Sequence, residues 1–281
     1  MPSNNFPFAR FPVEGAPHGS NVTIGPNPFD KPKGRRNDPP PTSPESANRY
    51  AWWDANSIGT LFQDTAGTVP VAANNDPVGD WHDVDGNLIQ WEQATAGDRP
   101  IYKTNVLNGK PGIKFDGTSD HMVLTTVLNQ ARMDESTVFA VVSGWVTGTY
   151  QGLVGPANGT AGQGQDAYYL RITDVDKAEV LEAYVGNPMT STAAISTAGA
   201  VIGFKFSDTG NAYTHYNGRN DNGTGASTVT FSGSASILGA QLGVTTEFFT
   251  GYIHELLIYD VVLNDTKIDN NARYLLNKWG L

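Results

Sequence analysis

The stretch FFTGYIHELLIYDVVLNDTKIDNNARYLLNKWGL, residues 248–281, decides the fold of this chain. Its first third is rich in β-branched and aromatic residues, which predicts one long strand over residues 249–259. Asn264 stands where a helix N-cap is expected and Gly280 lies just past the last helical position, so a short helix is predicted between them. The residues that fall at helical spacing on its apolar face are Ile268, Ala272, Leu275, Leu276 and Trp279.

The rest of the chain also favours strands over helices. It contains 31 Gly and no Cys, and only 16% of its residues are charged, which is typical of short strands joined by polar turns. Asn217-Gly218 predicts a two-residue hairpin, because a type I′ turn needs positive φ at both positions. Residues 137–142 are apolar on both faces, as in a strand covered on both sides. The other predicted strands are 112–116, 121–125, 137–143, 152–155, 167–172, 179–185, 201–206, 212–216, 228–231 and 237–242.

Two blocks of sequence resemble the concanavalin-like, laminin-G-like jelly-roll family as it occurs in bacteriophage and bacterial surface proteins. One block is the C-terminal stretch. The other runs from WWDAN at residues 52–56 through FQDTAGTVP and PVGDWHDVDGN to RPIYKTNVLNGKPGIKFDGTSDHM, where a Phe-Asp-Gly turn leads into the sandwich. The resemblance implies an all-β fold, a concanavalin-like jelly-roll β-sandwich with a short C-terminal helix. That fold hosts lectins, hydrolases and structural modules, so it does not by itself define a function.

Two regions are predicted: an extended Pro-rich arm over residues 1–49 and the jelly-roll domain over residues 50–281. Eleven of the 17 prolines lie in the first 48 residues, and proline suits neither a helix interior nor a central strand. We interpret the arm as an anchor that a neighbouring capsid or tail subunit orders on binding; the alternative is an arm that folds back across its own domain. Its apolar anchors, which are costly to leave in water, are Phe6, Phe8, Phe11 and Phe29.

Charge is distributed unevenly along the chain. The first 49 residues carry six Lys or Arg against four Asp or Glu, whereas the remainder carries 12 against 24. An acidic domain argues against nucleic-acid binding, because phosphate contacts need clustered cations. The basic run at residues 31–36 is read as a solvated linker or as a contact with an acidic protein surface.

The sequence shows neither a secretory signal nor a membrane span. Met1 is followed by Pro-Ser-Asn-Asn-Phe-Pro-Phe, with no basic start and no apolar run. The longest uncharged stretch, residues 183–204, is diluted by Thr, Ser, Asn, Pro and Gly, whereas a span needs about 20 mostly apolar residues. A lectin-like fold without a secretion signal is expected for a particle assembled in the cytoplasm and released by lysis, which predicts a location in a virion.

Patterns of catalytic residues are mostly missing. The β-glucanases that the fold resembles present acidic residues at alternate positions of one strand, with nucleophile and general acid about 5 Å apart. The nearest run here, DVDKAE at residues 174–179, begins at a turn and lacks the leading Glu. His254-Glu255 begins like a zinc-protease motif, but that motif needs a second His on a helix. Glu255 is instead predicted to be a hydrogen-bonded structural carboxylate, and the chain is predicted not to be an enzyme.

The best candidate for a binding site is the loop over residues 76–91. Its possible oxygen ligands for a hard cation such as Ca²⁺ are Asp76, Asp80, Asp83, Asp85 and Asn87. Loop Asp and Asn also cap the local backbone without any metal, so no cofactor is predicted. The sequence also predicts that this loop contacts a glycan through Trp81, Asp83, Asp85 and Trp91. The alternative is that both indoles fill the core, as such large apolar rings more commonly do.

Two weaker candidates lie elsewhere. Trp52 and Trp53 stand at the start of the domain, and at least one of them must face the core if the segment is a strand. Arg219, Asn220 and Asp221, in a Gly-rich loop, are an alternative polar cluster.

These features together predict a non-enzymatic bacteriophage virion structural protein, either a capsid decoration protein or a head or tail fibre component that displays a lectin-like domain. The expected partners are capsid or tail proteins through the arm, host-surface glycans through weak adhesion, and further copies of the chain in a homo-oligomer. Two alternatives stay open. One is a dedicated receptor-binding lectin, which a glycan array would distinguish, and the other is a polysaccharide-cleaving enzyme on the same fold.

Overall fold

A computed structural model shows two antiparallel β-sheets and one helix. It describes residues 39–125, 135–156, 168–182, 189–207, 213–216, 219–220, 236–240 and 247–281. These described residues belong to one compact unit, Pro39–Leu281. The elements are β1 Arg49–Asp54, β2 Leu61–Phe62, β3 Asp80–His82, β4 Gln90–Glu92, β5 Ile101–Leu107, β6 Lys110–Asp116, β7 Met122–Leu124, β8 Glu135–Ser143, β9 Gln151–Pro156, β10 Tyr168–Ile172, β11 Ala178–Glu182, β12 Met189–Thr190, β13 Ala200–Ser207, β14 Tyr213–Tyr216, β15 Arg219–Asn220, β16 Ser236–Leu238, β17 Thr250–Tyr259 and the helix α1 Asp265–Trp279, with short 3₁₀ turns at Ile58–Thr60 and Ala96–Asp98.

The C-terminal strand β17 organises the first sheet, whose order is β15-β14-β13-β8-β17-β6-β5. β8 pairs with most of its length on one side, while β6 pairs with its first half and β1 with its second half. The second sheet has the order β12-β11-β10-β9-β16-β7-β4-β3-β2. The N-terminal strand β1 is therefore held beside the last strand of the chain.

The central strands of the first sheet, β13, β8 and β17, are buried on both faces. Its inner face contributes Val138, Ile202 and Leu256 to the core shared with the second sheet. Its outer face packs Phe139 and Leu257 against α1, in a second cluster that also contains Tyr259, Leu275 and Trp279. This double coverage explains the run of apolar residues in β8, which the sequence predicted to be covered on both sides.

The ends of α1 follow the sequence signals. The Asn264 side chain accepts a hydrogen bond from the Lys267 backbone N–H at 3.0 Å, which satisfies one of the free donors of the first turn. Gly280 takes the left-handed conformation with φ 69°, and its N–H donates to the Leu276 carbonyl. Trp279 is fully buried, as the apolar stripe predicted.

The predicted fold class is confirmed as an all-β sandwich with a short C-terminal helix. The strands missing from the sequence prediction are β1 to β5, β12 and β15. Of these, β2, β3, β4, β12 and β15 are only two or three residues long, too short to show an alternating pattern. The predicted strand 228–231 and the turn at 217–218 lie outside the described residues. β14 and β15 nevertheless pair with Tyr216 opposite Arg219, the register that a two-residue connection requires.

The predicted arm is described only in its last part. Phe6, Phe8, Phe11 and Phe29 lie outside the described residues, and the division at residue 49 stays a prediction. Glu45, near the end of the arm, contacts the helix side of the first sheet: its N–H donates to the Asn271 side chain at 2.9 Å, and its carbonyl accepts from the Tyr259 hydroxyl at 2.8 Å. In the described part of the chain, no helix has the length and apolar character to cross a membrane.

Candidate functional site

The structure places the two indoles of the 76–91 loop in the core. Trp81 and Trp91 face each other across β3 and β4, and both are fully buried. Trp91 also packs against Trp53, with ring centroids 5.4 Å apart. Neither Trp81 nor Trp91 presents a face on which a sugar could stack, so their interpretation as a glycan platform is corrected. Burial of these large apolar rings in the core outweighs any use in binding.

The carboxylates of the same loop bind the protein itself. Asp83 accepts from the backbone N–H groups of Trp52 and Asn87, at 2.6 and 3.0 Å. Asp85 forms a bidentate pair with Arg49, with both distances 2.7 Å. Glycan contact at Asp83 and Asp85 stays a prediction. Both carboxylates already accept hydrogen bonds from the protein, which leaves fewer acceptor positions for a sugar.

The other two acids of this loop are also engaged. Asp76 caps the N–H groups of Ala72 and Ala73 at 2.8 Å. Asp80 contacts the His82 ring at 2.6 Å, and burial raises the pKa of Asp80 to about 6. Among the described residues, no group of three or more such side chains is arranged to hold a metal ion.

The remaining candidates for catalysis have structural partners. Asp176 accepts from the Trp145 indole N–H at 3.0 Å, and Glu179 pairs with Arg171 at 2.6 Å. The side chains of Arg219 and Asn220, and all of Asp221, lie outside the part of the chain that is described. No free pair of carboxylates is therefore formed by the acids at residues 174–179.

A buried Ser–His contact is the next arrangement that resembles catalytic machinery. Ser143 lies 2.8 Å from Nε2 of His254, whose Nδ1 lies 2.8 Å from the Pro111 carbonyl. Burial lowers the pKa of His254 to about 4, so the ring is neutral at pH 7 and accepts from the Ser143 hydroxyl. Both side chains are buried, and a substrate has no access to them.

A bulge in β17 creates the arrangement that we identify as the candidate site. Ile253 pairs with Val142 and Glu255 with the adjacent Val141, so that His254 is the extra residue. The extra residue reverses the facing of the strand: Ile253 joins the core between the sheets, whereas Glu255 turns towards α1. Regular alternation of side chains along a strand would place Ile253 and Glu255 on the same face. The bulge at His254 places them on opposite faces instead.

Glu255 is fully buried and surrounded by donors. Its Oε1 accepts from the Trp52 indole at 2.7 Å and from the Tyr274 hydroxyl at 3.3 Å, and its Oε2 accepts from the Trp279 indole at 2.6 Å. The ammonium of Lys278 lies 2.8 Å from the same Oε2. These contacts join β1, β17 and α1, which confirms the prediction of a hydrogen-bonded structural carboxylate.

A second carboxylate completes the cluster. Asp54 lies directly opposite Glu255 in the β1–β17 pairing, and its Oδ2 lies 2.7 Å from the Lys278 ammonium. Burial and the nearby Asp54 charge raise the pKa of Glu255 to about 7, against the opposing effect of Lys278 and Trp279. Burial and Glu255 also raise the pKa of Tyr274, so its phenol stays protonated.

A pocket of about 420 Å³ opens beside this cluster. We call it the Trp52 pocket. Trp52 and Asp54 project into it from one face of β1, and the i, i+3, i+4 spacing of Tyr274, Asn277 and Lys278 aligns them along one side of α1. Its full lining is Pro40, Pro41, Thr42, Trp52, Asp54, Tyr274, Asn277 and Lys278.

Part of this site was visible in the sequence. On a strand, Trp52 and Trp53 must face opposite sides, and the structure buries Trp53 completely while Trp52 is half-buried in the pocket wall. The partners of Trp52 on α1 lie more than 200 residues away, and no local pattern connects them. The end of the Pro-rich arm, which was predicted as an anchor, forms the remaining wall.

Comparisons with known proteins bear on the fold. No family model matches the chain, and no curated protein matches its sequence. Among solved structures, it is similar to a Trypanosoma rangeli sialidase in complex with 2,3-difluorosialic acid, at 14% identity and TM-score 0.57, over 82% of this chain and 34% of that chain. The same sialidase in complex with sialic acid matches at 14% identity and TM-score 0.57, over 86% and 36% of the two chains.

A carbohydrate-binding module gives a more distant match. The CBM40 of a Ruminococcus gnavus IT-sialidase matches at 18% identity over 50% of this chain and 83% of that one, with TM-score 0.43, which is too low to support an argument. The chain spans about a third of the length of the sialidases. At 14% identity, the similarity to the sialidases establishes a shared fold.

The predicted function of a bacteriophage virion structural protein is contradicted by these matches. The sialidase structures described above, which match with TM-scores above 0.5, are not phage proteins. Nothing in the matches supports a capsid or tail partner for the arm. The location and the cofactor content of the protein stay predictions.

Proposed function

We propose that the chain is a carbohydrate-binding module that holds a glycan in the Trp52 pocket without cleaving it. The observation that carries the proposal is the pocket itself, where an indole, a carboxylate, a side-chain amide and a hydroxyl converge around about 420 Å³. That volume lies within the usual range of small-ligand sites, roughly 300–1,000 Å³.

The chemistry of the lining suits a sugar. A sugar ring has apolar C–H faces and many hydroxyl groups, so it binds where an aromatic wall adjoins hydrogen-bonding side chains. Trp52 and Tyr274 supply the aromatic wall, with ring centroids 6.5 Å apart in an edge-to-face arrangement. Thr42 and Asn277 are exposed at the pocket and carry both donors and acceptors. The matched sialidase, which is described in complexes with sialic acid and with 2,3-difluorosialic acid, shares the fold and adds support.

The network beneath the pocket supports preorganised binding. Glu255 holds the Trp52 indole N–H at 2.7 Å and the Tyr274 hydroxyl at 3.3 Å. A rotamer fixed in this way loses little entropy when a ligand binds, which increases the affinity.

The same network argues for binding without cleavage. Glycoside hydrolysis commonly needs two carboxyl groups that flank the scissile bond, whereas sialidases use a Tyr nucleophile. The Tyr274 phenol in this lining is buried and stays protonated, which argues against its use as a nucleophile. Asp54 is the only carboxylate in the lining, while Glu255 is fully buried and engaged with three donors besides Lys278. An assay for reducing sugar released from oligosaccharides bound on an array should therefore show no turnover.

The proposal is tested with a glycan array and a variant that fills the pocket. Asn277→Tyr places a phenol at the exposed mouth without removing a core contact, and it should abolish glycan binding. Thr266→Tyr is the matched control, because it adds the same side chain to an exposed position of α1 three turns away. The proposal is wrong if the wild-type protein binds no glycan, or if Asn277→Tyr binds as the wild type does.

A further inference from the structure

The charges around the Trp52 pocket define the class of sugar it accepts. Resting on the proposed function, we infer that the pocket selects uncharged glycans and discriminates against sialylated and other acidic ones. The matched sialidase is described with sialic acid and 2,3-difluorosialic acid, whereas the side chains of this pocket disfavour acidic sugars of that kind.

Among the described residues of the lining, the one cation is already neutralised. The Lys278 ammonium lies 2.7 Å from Asp54 and 2.8 Å from Glu255, and the side chain is only 16% exposed. A cation held by two carboxylates at these distances has little attraction left for a third. The net formal charge of Asp54, Glu255 and Lys278 together is −1, or zero if Glu255 is protonated. In neither state does the cluster carry the net positive charge that a sugar carboxylate needs.

The next cation is also paired. The Arg49 guanidinium lies 4.9 Å from the centre of the Trp52 ring, but its Nε and Nη2 each donate to Asp85 at 2.7 Å. Its charge is therefore balanced within the protein. A ligand anion would have to displace Asp85 to reach it.

Among the described residues of the lining, the groups that remain available are neutral. Thr42 and Asn277 are exposed at the pocket, and their hydroxyl and amide groups are neutral donors and acceptors that can bind sugar hydroxyl groups but supply no positive charge for a carboxylate. The field of the whole chain acts in the same direction, because its net charge is −10 and its isoelectric point is about 4.8. Such a field lowers the local concentration of anions and slows their association.

The test uses glycan pairs that differ by one sialic acid. Galactose-terminated oligosaccharides are printed with and without a terminal sialic acid, and the wild-type protein is compared with Asn277→Tyr. The neutral member should bind, Asn277→Tyr should abolish that binding, and the sialylated member should bind at least about fivefold more weakly, the effect of one close charge contact in water. Raising the salt concentration should bring the affinity of the sialylated member closer to that of the neutral one, because salt screens the repulsion between the pocket and the sialic acid carboxylate.

Other results would overturn the selectivity inference alone or the proposed function as well. If the sialylated member binds as well as or better than the neutral one, and Asn277→Tyr abolishes this, the selectivity inference is overturned while the proposed function stands. If no pair binds, or if Asn277→Tyr has no effect on binding, both are overturned. Asp54→Asn adds a charge-only test: it should raise the ratio of sialylated to neutral binding, and an unchanged ratio would contradict the inference. The salt titration on the wild-type chain remains decisive even if this variant fails to fold.

Discussion

Two regions of this molecule combine tryptophan with acidic residues, and they use the same chemistry in different ways. In the β3–β4 region, the indole N–H groups of Trp81 and Trp91 have no hydrogen-bond partner in the described residues, and their rings fill the core. In the β1–α1 region, the indole N–H groups of Trp52 and Trp279 both donate to Glu255. In the first region the indoles serve only as apolar volume, whereas in the second they also bind a buried carboxylate.

The difference shows why residue composition is a poor guide to a site. Both regions read as aromatic and acidic in the sequence, and the β3–β4 region has more acids within a shorter stretch. Only the β1–α1 region leaves an aromatic ring and polar groups at the edge of an open pocket. The deciding factor is the pairing of strands from opposite ends of the chain, together with the bulge at His254.

The largest expected effect comes from removing the carboxylate of the β1–α1 region. Glu255→Ala leaves the two indoles, the Tyr274 hydroxyl and the Lys278 ammonium without this acceptor. Breaking a buried charged network in this way costs about 3–5 kcal/mol of unfolding free energy. For a domain of this size the melting temperature should fall by roughly 10 °C. Thermal unfolding followed by circular dichroism would check the value.

The control for that change lies in the other region. Asp85→Ala removes a carboxylate that is 31% exposed and paired with Arg49. Surface ion pairs contribute about 0–1 kcal/mol, so the melting temperature should fall only slightly. Equal losses for Glu255→Ala and Asp85→Ala would contradict the comparison.

A matched pair of substitutions isolates the indole hydrogen bond. Trp91→Phe and Trp279→Phe remove similar volume from fully buried positions. Only Trp279→Phe also leaves Oε2 of Glu255 without its 2.6 Å donor. It should therefore cost about 1.5–3 kcal/mol more than Trp91→Phe, the usual contribution of a hydrogen bond to a charged group. Urea unfolding of both variants measures the difference, and equal midpoints would show that the bond contributes nothing.

The pH dependence of stability offers a third contrast, in the β3–β4 region. Burial raises the pKa of Asp80 to about 6, so between its usual value and 6 the folded state binds more protons than the unfolded state. The contribution of Asp80 to the unfolding free energy should therefore decrease as pH rises through this window, by roughly 1–3 kcal/mol. Asp80→Asn should flatten that slope. Urea titrations from pH 4 to pH 7 would test it, and an unchanged slope would exclude Asp80 as its source.

The smallest effect concerns the end of α1. Asn264→Ala removes the side-chain acceptor for the Lys267 N–H and should cost about 1 kcal/mol. Because α1 carries Tyr274 and Lys278 far from this cap, the network around Glu255 should survive. A shift in melting temperature of a few degrees with unchanged near-ultraviolet circular dichroism is the expected result, and a change in the near-ultraviolet spectrum would indicate that the cap also orders the pocket.

The sequence predicts the C-terminal part of the fold well, because its signals are local. The N-cap at Asn264, the C-cap at Gly280 and the buried Trp279 each follow from neighbouring residues, and all are confirmed. The short strands β2 to β4 could not be predicted, because two or three residues are too few to show an alternating pattern. The Trp52 pocket could not be predicted either. Its lining joins residues 40–42, β1 and α1, and Glu255 faces α1 only because of a bulge that no residue pattern marks.

The most direct test of the central claim is a nuclear magnetic resonance titration of the six tryptophan indole N–H signals with a glycan that binds on the array. A ligand in the Trp52 pocket should shift the Trp52 signal, since its ring lines the pocket and its N–H donates to Glu255. The signals of Trp81 and Trp91 should stay in place, because both rings are enclosed in the core. A shift of Trp81 or Trp91 with an unmoved Trp52 signal would contradict the account.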